Sequence, residues 1–308
     1  MERLTLITKP QRGYELLDSG KEEKLERFGD LVLARPDPQA LWEKRLGEGE
    51  WAAAQGRFLR SGKEGKWIEN NLPKEWQIKF GELQFLIRPT SFKHTGLFPE
   101  QLSNWEWIQE VISQRLSSQK VLGSAPPQPD HFPQKVSAPS MLNLFGYTGG
   151  ATLAAAQAGA EVTHIDASKT AVAWARENAK LSGLDDKPIR WIVEDVLVYL
   201  NREIKRGSKY DAIIMDPPAF GHGPKDELWK FEEHFLELMK LCQQLVSDKP
   251  LFVLINGYAA GYSPLAFAYN LEPFVKKFGG LIEYGDLTIE EEGSSRLLPC
   301  GIFARWKK

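Results

Sequence analysis

The rhythm of apolar and polar residues changes near the middle of the chain. From Met141 onward, short apolar runs alternate with longer segments in which apolar residues recur every three or four positions. The first pattern predicts buried strands and the second amphipathic helices. Strands are expected at Met141–Phe145, Glu161–Ile165, Ile189–Val193, Ala212–Met215, Leu251–Ile255, Leu281–Leu287 and Gly301–Trp306. Helices are expected at Thr152–Gln157, Lys169–Leu181, Val196–Ile204, Trp229–Leu245 and Pro264–Phe278. Strands and helices in this alternation make an α/β domain, a mostly parallel sheet with helices on both faces.

The chain before Met141 reads differently. Tyr14–Leu17, Leu31–Ala34 and Phe58–Arg60 are short strand candidates, and Gln39–Leu46 a short helix. Trp76–Arg88 holds two alternating runs around Phe80-Gly81-Glu82-Leu83, the signature of a hairpin. Residues 1–90 are therefore expected to form a small β-rich domain. Leu102, Trp105, Ile108, Ile112 and Leu116 then mark the apolar face of a helix from about Ser103 to Leu116. Val121–Ser140 carries five prolines, which disfavour helix and central strand, so 91–140 reads as a loop, a helix and an extended proline-rich linker. Residues 141–308 form the α/β domain.

With 308 residues, 42% hydrophobic and 26% charged, the chain is long enough for one large domain or two modest ones. The net charge of -2 supplies no general electrostatic attraction to nucleic acid, although a local basic face remains compatible with it. Arg57, Arg60, Lys63 and Lys66 are candidates for such a face or for an ordinary solvated surface. Two cysteines, Cys242 and Cys300, provide neither a disulfide framework nor zinc-ligand spacing, which fits a reducing cytoplasm. Met1–Pro10 lacks the apolar core of a signal peptide, and no stretch approaches the ~20 apolar residues of a membrane span.

Candidate chemistry gathers at the C-terminal ends of the first four α/β strands, where open sheets of this kind bind ligands. Asn143-Leu144-Phe145-Gly146-Tyr147-Thr148-Gly149-Gly150 is a glycine turn that lets backbone approach a ligand, or simply a tight strand-to-helix turn. Its spacing does not match the dinucleotide fingerprint, which weakens a nicotinamide-dependent dehydrogenase. Asp166, about 20 residues on, can accept hydrogen bonds from both ribose hydroxyls; alternatively Asp166 or Ser168 caps the next helix. Asp195, in Glu194-Asp195, can accept from an adenine amino group or cap a helix. Asp216-Pro217-Pro218-Ala219-Phe220 follows the fourth strand: consecutive prolines fix an extended backbone and leave acceptors free, while Phe220 offers a ring for stacking. His222 reads as a solvent-facing residue of the loop Gly221–Lys225.

Taken in series, these motifs resemble class I methyltransferases with a Rossmann-like domain. More narrowly, they resemble the bacterial large-subunit ribosomal RNA methyltransferases of the RlmI and RlmK type. The resemblance extends upstream to His94-Thr95-Gly96-Leu97-Phe98-Pro99-Glu100-Gln101-Leu102 and covers roughly Phe92 to the C-terminus. It implies a seven-stranded sheet and S-adenosylmethionine as cofactor, with S-adenosylhomocysteine as product. By the same resemblance, Phe145, Gly146, Thr148 and Gly149 would cradle the methionine moiety, and Asp166 and Ser168 would lie at the ribose and Asp195 at the adenine. Phe98 and Gln101 would cover the cofactor. Asp216, Pro217, Pro218 and Phe220 would line the acceptor pocket. The β-rich region would correspond to the family's small central domain, and the stretch before it is too short for the RNA-binding PUA domain of the first type of relative.

The resemblance points to ribosomal RNA as substrate and partner. Members that methylate carbon 5 of cytosine attack the base with a cysteine after the fourth or fifth strand. Here the fifth strand ends Ile255-Asn256-Gly257-Tyr258. Cys242 falls on the apolar face of a helix, and Cys300 is expected away from the crevice. A nitrogen acceptor, nucleophilic through its own lone pair, is therefore expected. The alternatives are a small-molecule or protein methyltransferase and a non-catalytic nucleotide- or RNA-binding module.

Overall fold

The computed structural model describes residues 1–61, 64–69, 71–123, 137–258 and 261–308. The chain opens with β1 (Glu2–Thr8), β2 (Tyr14–Gly20), β3 (Glu23–Phe28) and β4 (Leu31–Pro36). Next come α1 (Glu48–Ala52), β5 (Gly56–Ser61), β6 (Glu64–Glu69) and the hairpin β7 (Trp76–Phe80) and β8 (Leu83–Ile87). A 3₁₀ turn at Pro99–Gln101 leads into α2 (Leu102–Gly123), longer than the sequence pattern predicts. Most of the proline-rich linker, including Pro126, Pro127, Pro129 and Pro133, lies outside the described residues, as does Lys63.

The α/β half runs β9 (Ser140–Leu144), α3 (Gly150–Gln157), β10 (Glu161–Asp166), α4 (Lys169–Leu181), β11 (Ile189–Val193), α5 (Val196–Arg206) and β12 (Ala212–Met215). It continues with β13 (Phe220–His222), β14 (Leu228–Lys230), α6 (Phe231–Leu245), β15 (Phe252–Gly257), α7 (Pro264–Tyr269) and α8 (Glu272–Phe278). Strands β16 (Leu281–Glu290) and β17 (Leu297–Lys307) close the chain.

The main sheet has the order β1-β16-β17-β15-β12-β9-β10-β11. Its strands are parallel except at β17, which is antiparallel to β15 and β16. Strands β12 and β15 are apolar and buried along almost their whole length because helices cover both faces. On one face Ile108, Val111 and Ile112 of α2 join Ala155 and Ala156 of α3 over Phe252 and Phe303. On the other, residues of α5, α6, α7 and α8 surround Ile213, Val253 and Trp306.

The sheet has eight strands, one more than expected. The extra strand is β1, which pairs in parallel along β16 from Glu2↔Glu283 to Thr8↔Ile289. The first residues thus belong to the sheet of the C-terminal half, not to the N-terminal β-rich region. That region consists of the five-stranded sheet β2-β3-β4-β5-β6 and the hairpin β7-β8. Hairpin strand β8 is fastened to α4: Trp174 Nε1 donates to the Leu86 carbonyl (2.9 Å), and Asn178 Oδ1 accepts from Leu86 N (2.9 Å).

Three other segments depart from the sequence pattern, each for a visible reason. Residues 39–46 are not helical because their backbone bonds go to tertiary partners. Lys21 N donates to the Trp42 carbonyl, Glu22 N to the Ala40 carbonyl, and the Asp18 carboxylate takes Arg45 N and Leu46 N. The helix expected over 264–278 is divided at Leu271 by Pro273, which occupies the first turn of α8. The loop expected at Gly221–Lys225 opens on a strand instead: β13 pairs with β14, so α6 starts only at Phe231.

Candidate active site

The ends of β9, β10, β12 and β15 converge with the upstream segment 93–101 around a cavity of about 520 Å³. A small-molecule site typically occupies ~300–1,000 Å³. Phe98, Gln101, Phe145, Asp166, Ser168, Asp195, Asp216, Pro217 and Pro218 all line it.

Each carboxylate is placed by backbone. Asp166 ends β10 and accepts from Tyr147 N (2.9 Å) and Ser168 N (2.8 Å). A carboxylate has about four acceptor positions, so two bonds leave capacity for donors in the cavity. Burial raises its pKa, and the two backbone donors oppose that. Ser168, not Asp166, is the cap of α4, accepting from Ala171 N (3.2 Å). Asp195 is the cap of α5, its Oδ1 accepting from Val198 N (3.0 Å), and it also lines the cavity.

The glycine turn is built for packing as much as for a ligand. Gly146 N donates to the Ile165 carbonyl (2.9 Å), which brings the loop against β10. A Cβ at Gly146 would sit 2.5 Å from the buried His164 ring. Gly149 has φ +92° and Phe145 and Tyr147 have φ +57° and +46°, so two non-glycine residues hold the left-handed conformation here. Such backbone costs roughly 1–3 kcal/mol per residue and persists where surroundings over-determine it. Phe145 is held by Trp229 (ring centroids 4.9 Å) and Tyr147 by Phe98 (5.5 Å).

Gly146, Thr148 and Gly149 do not line the main cavity; they line an adjoining recess of about 70 Å³. The Thr148 hydroxyl is committed to the Gly96 carbonyl at 2.6 Å. Phe220 lines neither space. It lies on β13, 57% exposed, with its ring edge-on to His222. Trp229 lines the main cavity instead, and its Nε1 donates to the Pro218 carbonyl (2.7 Å), which fixes the diproline segment. Its position within an apparent helix start gave no sequence signal.

Asp216 lines the cavity and keeps exposed surface there. Desolvation by the surrounding protein pushes its carboxyl up to about 6. Across the cavity, burial pushes Glu100 up to about 7 and His94 down to about 4, the latter helped by Arg35. Gln101 Oε1 accepts from Asn104, whose amide also donates to Asn256 Oδ1 (2.9 Å), linking the upstream turn to the end of β15. His222 lines the cavity and pairs with Asp226 (2.9 Å).

Cys300 was expected away from the crevice; it lines the cavity, because β17 runs antiparallel to β15 and begins at the edge where β15 ends. Burial raises its thiol pKa far above the usual range, and Sγ donates to the Leu298 carbonyl (3.5 Å). Cys242 is buried in the core as expected. Arg57 of the candidate basic face is paired with Glu23 (3.1 Å). Among the described residues, no helix is long and apolar enough to cross a membrane.

Sheet order, glycine turn and two strand-end acids facing one cavity define a Rossmann-like methyltransferase domain. A family model of S-adenosylmethionine-dependent methyltransferases matches residues 131–272. The crystal structure of an S-adenosylmethionine-dependent methyltransferase from Agrobacterium tumefaciens is similar over 99% of this chain and 95% of that one, with TM-score 0.88 and 35% identity. The chain belongs to the S-adenosylmethionine-dependent methyltransferases. Among curated relatives, it is 45% identical over 126 residues to ribosomal RNA large subunit methyltransferase I of Aeromonas salmonicida, covering 41% of this chain and 31% of the relative. It is 27% identical over 236 residues to ribosomal RNA large subunit methyltransferase K/L of Pseudomonas aeruginosa, covering 75% of this chain and 28% of the relative. The chain thus spans about a third or less of the length of these curated relatives. The site fits the cofactor: Asp166 and Asp195 offer acceptors beside apolar walls from Phe145, Tyr147 and Val196.

Proposed function

We propose that this methyltransferase modifies a base in RNA, with ribosomal RNA favoured by the names of its relatives, and that the methyl acceptor is a nitrogen rather than carbon 5 of cytosine. The observation that carries the reading is that Asp216, Pro217 and Pro218 line the same cavity as Asp166 and Asp195. Methyl donor and acceptor would meet there without a covalent enzyme intermediate. Asp166, flanked by Ser168, accepts from the ribose hydroxyls and Asp195 from the adenine amino group. Phe145 and the glycine turn bear on the methionine end, and Phe98 and Gln101 cover it.

The bound cofactor supplies an electrophilic methyl group on a sulfonium. Asp216 and the Pro217 carbonyl orient the acceptor N–H so that the nitrogen lone pair faces that methyl. Attack by the nitrogen would form the new nitrogen–carbon bond and leave the carbon–sulfur electron pair on the departing S-adenosylhomocysteine. Asp216, ionised above about pH 6, takes the proton that the nitrogen sheds. Cytosine C5 chemistry needs a thiolate nucleophile. Cys300 is the one cysteine lining the cavity among the described residues, and burial keeps it a thiol, which supports a nitrogen acceptor.

The test is transfer of labelled methyl to unmodified, transcribed large-subunit ribosomal RNA, followed by digestion to nucleosides. The reading expects one N-methylated nucleoside, lost with Asp216→Ala. Label appearing only in protein or small metabolites, or as 5-methylcytosine, would overturn it.

A further inference from the structure

The cavity is wider than the cofactor's share of it. Asp166 and Asp195 stand at the ends of β10 and β11, whereas Cys300 and Tyr258 stand at β17 and the end of β15. In the sheet order, β10 and β17 are four places apart. At ~4.8 Å per strand, that is about 19 Å. Asp216, at the end of β12, lies between the two ends.

The far end is bounded by Glu100, His94, Tyr258 and Cys300, with β3 and β4 of the N-terminal sheet behind it. Glu100 is only 6% exposed. The buried charges behind it are matched among themselves: Arg35 bonds Glu26 (2.6 Å), and Lys24 contacts Glu26 (3.6 Å) and Asp37 (3.2 Å). Among the described residues none of these cations reaches Glu100 at ion-pair distance, and its carboxyl takes a hydrogen bond only from its own backbone. A carboxylate has about four acceptor positions, so a buried one with a single backbone donor gains from further donors that a ligand supplies. Lys24 and Arg35 are committed elsewhere, and the Lys93 ammonium, also on the cavity wall, donates to the Pro36 carbonyl (3.2 Å), so Glu100 suits a group bearing N–H donors better than a phosphate.

We propose that this end of the cavity is the acceptor-base subsite, with Glu100 its specificity-determining residue, accepting hydrogen bonds from the exocyclic amino group of a nucleobase. The inference rests on the RNA-base reading above and deepens it. It gives the N-terminal sheet a part in the site, because the charges of Lys24 and Glu26 on β3 and Arg35 on β4 act on Glu100. It also separates roles: Asp216 serves the reacting atom and Glu100 the edge that identifies the base.

The full chain saturated with S-adenosylhomocysteine is titrated with two nucleotide pairs, GMP against IMP and CMP against UMP, each pair differing at an amino group. The amino-bearing member of at least one pair should bind roughly tenfold more tightly, as a site built for a donor discriminates against its absence. Glu100→Gln should reduce that preference to within about twofold while cofactor-product affinity holds, and Glu100→Asp should retain part of it. Equal binding within both pairs, binding of none of the four, or a preference surviving in Glu100→Gln would overturn the subsite. Methylation of the transcript without any nucleotide preference overturns the subsite alone. A preference without methylation of ribosomal RNA overturns the RNA reading alone.

Discussion

Thr148 donates its hydroxyl hydrogen to the carbonyl of Gly96, 52 residues earlier in the chain, at 2.6 Å. The bond is buried and joins the glycine turn to the upstream segment that carries Phe98, Glu100 and Gln101. Asn178 reinforces it by donating to the Thr148 carbonyl (2.9 Å) while accepting from β8. The cavity therefore exists because two parts of the chain far apart in sequence are fastened at this point.

Thr148→Ala is expected to destabilise the fold by about 1–3 kcal/mol, the cost of leaving the buried Gly96 carbonyl unmet. It should also weaken cofactor-product binding as the upstream turn loosens. Thr148→Ser keeps the hydroxyl and should recover most of both. Thermal unfolding with and without S-adenosylhomocysteine checks this. Equal melting of the alanine variant and the parent would show that the bond holds nothing.

Gly146 is required by His164 behind the turn as well as by any ligand in front of it. Gly146→Ala puts Cβ 2.5 Å from the ring and is expected to cost roughly 1–3 kcal/mol. His164 is buried, its pKa lowered to about 3 by desolvation, and it is tied through Thr152 to Asn143, so the ring has little room to yield. A double-mutant cycle with His164→Ala should recover a good part of the loss. Additive losses would place the strain elsewhere.

The sequence pattern carries the α/β half well because its strands are buried on both faces and its helices on one. Strand β3 shows where pattern reading fails. Its residues gave no strand signal, and Lys24 and Glu26, though charged, are both buried in one ionic cluster with Arg35 and Asp37. Strand β1 has mixed composition and acquires its partner 281 residues later in register, a long-range pairing that local periodicity does not encode. Within the site, Asp166, Asp195 and Asp216 were legible because each follows a readable strand. Trp229, Glu100 and Cys300 were not: they lie on the β13–β14 hairpin, the Pro99–Gln101 turn and the start of β17, and tertiary packing brings them to the cavity. Phe220 was misplaced because the β13–β14 hairpin turns its ring outward.

Glu100 should leave a signature in the pH dependence of stability. Its carboxyl ionises near 4.5 in the unfolded chain and about 7 in the fold. Between these values the folded protein binds more protons at this site, so its contribution to stability falls as pH rises through about 4.5 to 7. The loss is on the order of 3 kcal/mol. Glu100→Gln removes it, so the variant's stability relative to the parent should rise across that window. Parallel denaturation curves from pH 4 to 8 would refute the assignment.

Asp216 predicts a pH profile of turnover. Its carboxyl, pushed up to about 6, must be ionised to take a proton. The rate kcat/KM should climb through pH 6 and level off above pH 7. Asp216→Asn should lower it about 10²-fold, within the usual range for removal of a general base, and flatten that limb. A variant that keeps the parent's profile would move the proton acceptor to another residue.

If the cavity between Asp166 and Asp216 holds the methyl donor, calorimetric titration with S-adenosylhomocysteine will register its occupancy. The parent protein should bind with a Kd on the order of 1 μM, and Asp166→Ala at least tenfold more weakly while still unfolding cooperatively. No binding by the folded parent, or equal binding by the variant, would contradict the account.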